Sequence, residues 1–296
     1  MNSVKTPKDN VILVPVDFSS ASDRALEHAV GIADLFDNKI TLLYVVKESL
    51  FKSIFGSSVE RDVLMGQVKE QLETKKNEVL AKFPNLTMNI VVKEGTVYKQ
   101  ILQVAEESHC DSIVMGYHGD SAVEQVIGST TSRVLRASHV PVVIVKEVPS
   151  KTQYDRILLP IDLTRESRQK VSWAIHIAKK YNSEIHVIME VEKDEFLMNK
   201  VRNNLNQVEH LLEKEGVKFV SKLLDDQHYP DEFGKDIVKY SDENDIDLIL
   251  IMTQKETGIM DFFLGSFARQ VIQGSKNTPV MAINPKELAV RLVPGY

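Results

Sequence analysis

The sequence predicts an α/β fold made of two tandem Rossmann-like units, each a doubly wound parallel five-stranded sheet with flanking helices. Three observations support this prediction. The strand-like segment VILVPVD at residues 11–17 has a counterpart, RILLPID, at residues 156–162. Apolar runs alternate with helical patterns in both halves, as expected for strands joined by right-handed crossovers. The predicted strands are nearly continuous apolar runs, which is typical of parallel strands that are covered on both faces.

The internal repeat divides the chain into two parts. Its period is 145 residues, the interval from residue 11 to residue 156, which is the size of a domain and far longer than a solenoid unit. We therefore expect the 296 residues to form one domain at 1–150 and a second at 151–296, joined by a short polar link.

Each element of the first half follows from its own pattern. The apolar run Val11–Val16 predicts the first strand, and alanines at every fourth position predict a helix over Ser19–Phe36. The remaining strands are predicted at Ile40–Val46, Met88–Val92, Ser112–Met115 and Val142–Val145, and the remaining helices at 58–82, at 97–108 and from the pair Gly128-Ser129 to Arg136.

The second half repeats this order. Its strands are predicted at 157–161, 184–191, 217–223, 247–252 and 280–283, and its helices at 165–180, 194–214, 231–243 and 266–273.

Composition excludes several classes of protein. The net charge of −6 and the pI of about 5.8 predict no nucleic-acid partner and no attraction to an anionic membrane. The single cysteine, Cys110, excludes an intrachain disulfide and a thiolate metal cluster. The first ten residues have no apolar core, so we expect no signal peptide, and we expect a cytoplasmic location. No apolar run is long enough for a membrane span.

Candidate binding residues cluster where the predicted strands end. In an open parallel sheet, ligands bind beyond the carboxyl ends of the strands. Glycines there let the backbone approach phosphate oxygens, and a helix N-terminus offers free N–H groups. The predicted nucleotide-binding residues are Asp17, Gly116, Gly119, Gly128, Ser129 and Thr130. Asp17 and Ser129 also have an ordinary structural interpretation as helix caps, and Gly116 and Gly119 have one as turn glycines.

These residues resemble the binding motif of the universal stress protein family, in its tandem two-domain form. The motif is a strand-one aspartate, then Gly-x-x-Gly, nine residues, and Gly-Ser or Gly-Thr. This chain has only eight residues between Gly119 and Gly128, so its loop is one residue shorter. The resemblance implies that the first half binds ATP or a related adenine nucleotide, with Mg²⁺ as an accompanying ion.

The second half departs further from the motif. Its fourth strand ends in LILIM and is followed by Thr253, Gln254, Lys255 and Glu256, without either glycine. Asp162, Gly265 and Ser266 remain. We expect no tight triphosphate binding in this half.

The resemblance also implies how the two halves meet. Members of the family commonly dimerise through the last strand. In a tandem chain, Val142–Val145 and Val280–Ile283 would pair internally and form a pseudo-dimer. Both strands follow a proline, which suits an edge strand. Further oligomerisation is compatible with this arrangement.

Two functions from different classes fit these observations. The first is a stress-response regulatory protein that binds an adenine nucleotide in its first domain, with a structural or partner-binding second domain. The alternative is a ligand-independent adaptor that acts on protein partners through its surfaces. We expect no enzyme and no catalytic or metal-ligating residues, because no general base or nucleophile stands beside the glycine motif.

Overall fold

A computed structural model of the chain describes residues 10–48, 58–117, 127–148, 153–224, 232–253 and 265–284. The strands of the first half are β1 (Val11–Pro15), β2 (Lys39–Lys47), β3 (Met88–Gly95), β4 (Ser112–Gly116) and β5 (Val142–Val145). Its helices are α1 (Ser20–Phe36), α2 (Ser58–Lys82), α3 (Val97–Glu107) and α4 (Ser129–Ala137). The predicted α/β fold is confirmed.

The second half repeats these elements in the same order. Its strands are β6 (Arg156–Pro160), β7 (Glu184–Glu190), β8 (Phe219–Leu224), β9 (Leu248–Met252) and β10 (Val280–Ile283). Its helices are α5 (Arg165–Tyr181), α6 (Glu195–Lys214), α7 (Phe233–Glu243) and α8 (Ser266–Gly274).

The ten strands form one sheet in the order β3-β2-β1-β4-β5-β10-β9-β6-β7-β8. Within each half all neighbouring strands are parallel. The last strands of the two halves, β5 and β10, pair antiparallel, with Val143 opposite Met281. The two predicted five-stranded sheets are therefore the two halves of a continuous sheet.

Alternate residues of each strand contribute to two cores, one on each face of the sheet. In β1, Ile12 and Val14 belong to the core beneath α1, α2, α5 and α6, whereas Val11 and Leu13 belong to the core beneath α3, α4, α7 and α8. This alternation follows from the two-residue period of a strand. Both cores continue across β5 and β10, so the halves share their apolar interior.

Polar and aromatic contacts join the halves beside α1 and α5. His28 of α1 shares a buried hydrogen bond of 2.8 Å with the Tyr154 hydroxyl, and Lys180 of α5 donates to the side-chain oxygen of Asn38 at 3.1 Å. The rings of Phe36 and Tyr181 meet edge to face at 4.2 Å. These contacts fix the two halves side by side.

The predicted domain boundary at residue 150 lies in the segment 149–152, outside the described residues, and stays a prediction. None of the helices in the described ranges combines the length and apolarity that a bilayer-spanning helix requires.

Candidate functional site

A pocket of about 410 Å³ opens at the carboxyl ends of β1, β2 and β4. Its polar or charged lining residues are Asp17, Ser22, Tyr44, Lys47, Thr130 and Thr131, and the rest of its lining is Pro15, Val16, Leu43, Val45, Val97, Ile101, Met115 and Gly116. The pocket lies at the edge of the sheet where the sequence places its candidate residues. Of those, Asp17, Gly116 and Thr130 line it together.

Asp17 follows β1 and has an exposed side chain. Its Oδ1 atom accepts hydrogen bonds from the backbone N–H of Ser19 at 3.1 Å and from the Ser19 hydroxyl at 2.6 Å. Ser19 is itself the N-cap of α1, because its Oγ accepts from the backbone N–H of Ser22 at 3.2 Å. Asp17 thus supports the cap of α1 and also places a carboxylate at the pocket.

Gly116 ends β4 and lines the pocket, and the packing of α1 against β4 also requires a glycine at this position. A Cβ atom at this position would lie 2.2 Å from the backbone oxygen of Ala21 and 2.4 Å from its carbonyl carbon. No side chain fits at such distances without movement of α1. The close approach of α1 to β4 therefore explains this glycine without a ligand.

The first turn of α4 forms the wall beyond β4. Gly128 is the N-cap of this helix and has no side chain to bond the free N–H groups, and Ser129 is its exposed first residue. The first N–H groups of a helix have no acceptor within the helix and favour an anion. Neither Gly128 nor Ser129 is among the lining residues, although Thr130 is. Gly119 lies outside the described residues.

Sequence reasoning missed several residues of the pocket. Tyr44 and Lys47 come from β2, and Thr131 is buried in α4 beside Thr130. Burial raises the pKa of Tyr44, and the negative charge of Asp17 raises it further. β1 and β2 are parallel neighbours with Pro15 opposite Leu43, and β2 continues beyond that pair to Lys47. The greater length of the second predicted strand was the available signal that its last residues reach the pocket.

The second half has larger side chains at the corresponding described positions. In the second half, Met252 is paired with the last residue of β10. In the first half, Gly116 is paired in the same way with the last residue of β5. Met252, and not Thr253, is therefore the counterpart of Gly116. Phe267 is the second residue of α8, the position that Thr130 has in α4, and its ring stacks on Phe233 at 5.6 Å.

A buried lysine adds to this difference. Lys170 is the sixth residue of α5, where α1 has Ala25, and its Nζ donates to the carbonyl oxygen of Pro160 at the end of β6. Burial lowers the pKa of Lys170 to about 8, against the opposing effect of the Asp162 charge. Asp162 itself accepts from the backbone N–H of Thr164 at 2.8 Å, so it supports the turn before α5.

The chemistry available in the first-half pocket is recognition by hydrogen bonds and apolar contact. Across the described residues, no group of three or more His, Cys, Asp or Glu side chains is arranged to hold a metal ion. The described lining of the pocket supplies one carboxylate, that of Asp17, and three hydroxyl-bearing side chains of serine and threonine. Mg²⁺ usually takes one or two protein carboxylates together with phosphate oxygens, so this donor set fits a metal only when the ligand brings phosphates.

Comparison with known proteins gives a consistent result over most of the chain. The sequence profile of the universal stress protein family matches residues 10–146 and again residues 153–284. Universal stress protein MJ0531 of Methanocaldococcus jannaschii is 31% identical over 153 residues, which are 50% of this chain and 89% of that protein. Universal stress protein G of Shigella flexneri is 30% identical over 141 residues, which are 46% of this chain and 97% of that protein.

A solved structure resembles both halves at once. The crystal structure of a universal stress protein from Archaeoglobus fulgidus superimposes with a TM-score of 0.75 and covers 94% of this chain and 99% of that one. The two sequences are 23% identical, so this likeness supports the tandem fold.

Proposed function

The chain belongs to the universal stress protein family, and we propose that its first half binds ATP or a related adenine nucleotide as a regulatory ligand. The second half has a structural or partner-binding role in this proposal. The observation that carries it is the pocket of about 410 Å³ in which an apolar wall, a carboxylate and the uncapped start of α4 meet. The expected site of action is the cytoplasm.

The two ends of the pocket differ in chemistry. On its β2 side the pocket has the apolar residues Leu43, Val45, Val97 and Ile101, which suit the flat face of a purine base, and Tyr44 and Lys47 lie on the same side. On the other side of β1, beyond β4, the first turn of α4 offers N–H groups and the Thr130 hydroxyl, which suit phosphate oxygens. Asp17 follows β1, the strand between them, and lies within the lining that a ribose would meet. The base, sugar and phosphates of a nucleotide are therefore assigned in that order from β2 to α4.

A bound Mg²⁺ ion would be held mainly by the phosphates of ATP. Asp17 is the single carboxylate among the described lining residues, and its Oδ1 already accepts two hydrogen bonds from Ser19. The proposal therefore assigns Asp17 to the ligand's hydroxyl groups first, with the metal as part of the ligand.

Binding is favoured over turnover for the same pocket. Hydrolysis needs a group that takes a proton from water at the terminal phosphate. The described lining contains neither histidine nor cysteine, and the Oδ1 atom of its carboxylate, Asp17, already accepts two hydrogen bonds from Ser19. A regulatory role, in which ligand occupancy reports the adenine-nucleotide pool, fits this lining better than catalysis does.

The test is calorimetric titration of ATP with Mg²⁺ into the wild-type chain and into two reciprocal variants. Thr130→Phe introduces into α4 the residue that α8 has at the equivalent position, and it should fill the phosphate end of the pocket. Phe267→Thr is the matched change in the second half. We expect one site in the wild type, its loss in Thr130→Phe and its retention in Phe267→Thr.

Two results would contradict the proposal. The first is a wild type that shows neither titration heat nor thermal stabilisation with ATP. This result would mean that the first half does not bind nucleotide, and the adaptor function would then be preferred. A wild-type site that Thr130→Phe leaves intact and Phe267→Thr changes would place the nucleotide in the second half. Thermal unfolding without ligand controls for the integrity of each variant.

A further inference from the structure

Arg133 and Tyr98 form a cation–π pair beside the pocket. The guanidinium carbon of Arg133 lies 5.2 Å from the centre of the Tyr98 ring, a distance at which the ring face attracts a cation. Tyr98 follows Val97 at the start of α3, and Arg133 follows Thr130 by three residues in α4. Since Val97 and Thr130 both line the pocket, the pair joins the first turn of α3 to the second turn of α4 at the border of the pocket.

The direction of a helical side chain brings the Arg133 guanidinium towards the phosphate end. Side chains of a helix lean towards its N-terminus and cover the turn before their own Cα atom. For Arg133 that turn begins with Ser129 and Thr130, the uncapped start of α4. The stacking contact with Tyr98 restrains the long side chain in this region.

The positive charge of Arg133 is available to a ligand. Its side chain is exposed, and none of the ion pairs between described residues involves it. A guanidinium presents several N–H donors in a planar fork that matches phosphate oxygens. Arg133 thus adds a charged donor to the backbone N–H groups of α4.

The second half lacks both members of the pair. Gly234 is the counterpart of Tyr98, and Gln270 is the counterpart of Arg133. A Cβ atom at Gly234 would lie 2.6 Å from the Cβ of Gln270, so α7 and α8 approach too closely for an aromatic ring between them. The cation and its ring therefore occur beside the pocket of the first half, and they are replaced in the second half, where Phe233 and Phe267 stack.

We propose that Arg133 binds the outer phosphates of the nucleotide and that Tyr98 positions its guanidinium, an inference that rests on the nucleotide site proposed above. Arg133 then determines specificity, because it interacts with phosphates and leaves the nucleoside part of the ligand untouched. The pocket should bind ATP more tightly than adenosine, and the Arg133 side chain should account for part of this difference in affinity.

The test compares Arg133→Gln with Arg136→Gln, each titrated with ATP and with adenosine. Arg133→Gln introduces the residue of the second half, and both variants lower the net charge equally on the same helix. Arg136 lies in the last turn of α4, where its Nε donates to the carbonyl oxygen of Ser132 at 3.1 Å. We expect Arg133→Gln to weaken ATP binding about 10-fold or more, as for loss of a charged hydrogen bond, and to leave adenosine binding unchanged.

Every other result would overturn the assignment. Equal losses for ATP and adenosine would show that Arg133 acts through the fold of the pocket. Equal losses of ATP affinity in Arg133→Gln and Arg136→Gln would show an effect of net charge alone. Unchanged ATP binding in Arg133→Gln would remove the contact, while a wild type that binds neither ligand would refute the nucleotide site itself. Tyr98→Leu supplies a second measurement, with a smaller loss expected for ATP and none for adenosine.

Discussion

Lys146 donates a hydrogen bond of 2.6 Å from its Nζ to the carbonyl oxygen of Gln273, in the last turn of α8. The reciprocal contact is made by Asn284, whose Nδ2 donates to the carbonyl oxygen of Arg136, in the last turn of α4, at 2.7 Å. Lys146 follows β5 and Asn284 follows β10. Each side chain thus satisfies a helix C-terminal carbonyl of the other half.

Removal of either contact should weaken the junction between the halves. We expect Lys146→Met and Asn284→Ala each to lower the free energy of unfolding by about 1 kcal/mol, the usual net contribution of one hydrogen bond. Urea unfolding of each variant measures the change. Lys276→Met is the control for charge, because it removes a positive charge close to Lys146. Burial lowers the pKa of Lys146 to about 8, and the charge of Lys276 contributes to this shift. That variant should not destabilise the protein, and a loss as large as in Lys146→Met would contradict a specific role for the contact.

His28 should make the protein sensitive to acid. Burial lowers its pKa from 6.5 to about 4, and its Nδ1 has no hydrogen-bond partner in the described part of the chain. The unfolded chain therefore binds a proton at higher pH than the folded chain does. The stability contributed by neutral His28 is complete above pH 6.5 and is lost as the pH falls towards 4, by up to about 3 kcal/mol.

The corresponding measurement is the free energy of unfolding at pH 7 and at pH 4.5 for the wild type and for His28→Leu. The variant loses the hydrogen bond to Tyr154 and should be less stable at pH 7. Its further loss between the two pH values should be smaller than in the wild type. Equal losses would show that other groups, such as His186, whose pKa burial also lowers, cause the acid sensitivity.

Local patterns were sufficient to predict most of the fold, whereas parts of the site depend on contacts between distant segments. The alanine spacing in α1 and the apolar run of β1 are local signals, and both predicted elements are found within a residue or two of their predicted ends. Position 116 needs glycine because the backbone of Ala21 lies against it. The buried ammonium group of Lys170 is held by its hydrogen bond to the end of β6. Neither contact has a signal in the neighbouring sequence, since each forms only when helices pack on the sheet.

Lys170 should make stability increase at alkaline pH. Its pKa falls from 10.5 to about 8 through burial, so between these values the unfolded chain binds more protons than the folded chain. The free energy of unfolding should therefore rise from pH 8 to pH 10.5, by up to about 3 kcal/mol from this group. Lys170→Met removes the group and should flatten that rise.

The difference between the variant and the wild type at pH 7.5 and pH 10 isolates the contribution of Lys170 from other groups that titrate in this range. Lys179→Met, an exposed lysine of the same helix that pairs with Glu215, is the matched control. A pH dependence that Lys170→Met leaves as steep as in the wild type would show that the lysine is solvated.

Gly116→Ala should destabilise the protein even when no nucleotide is present. The new methyl group would lie 2.2 Å from the backbone oxygen of Ala21, where no side-chain rotation relieves the overlap. Movement of α1 away from β4 should cost about 1–3 kcal/mol, as for overpacking of a core. Gly66→Ala in α2 is the matched control, because a Cβ atom there has no neighbour within 4 Å, and it should raise the free energy of unfolding by about 0.5–1 kcal/mol. Chemical unfolding of both variants without ligand checks the pair, and an undiminished stability of Gly116→Ala would mean that this glycine is retained for ligand contact instead of helix packing.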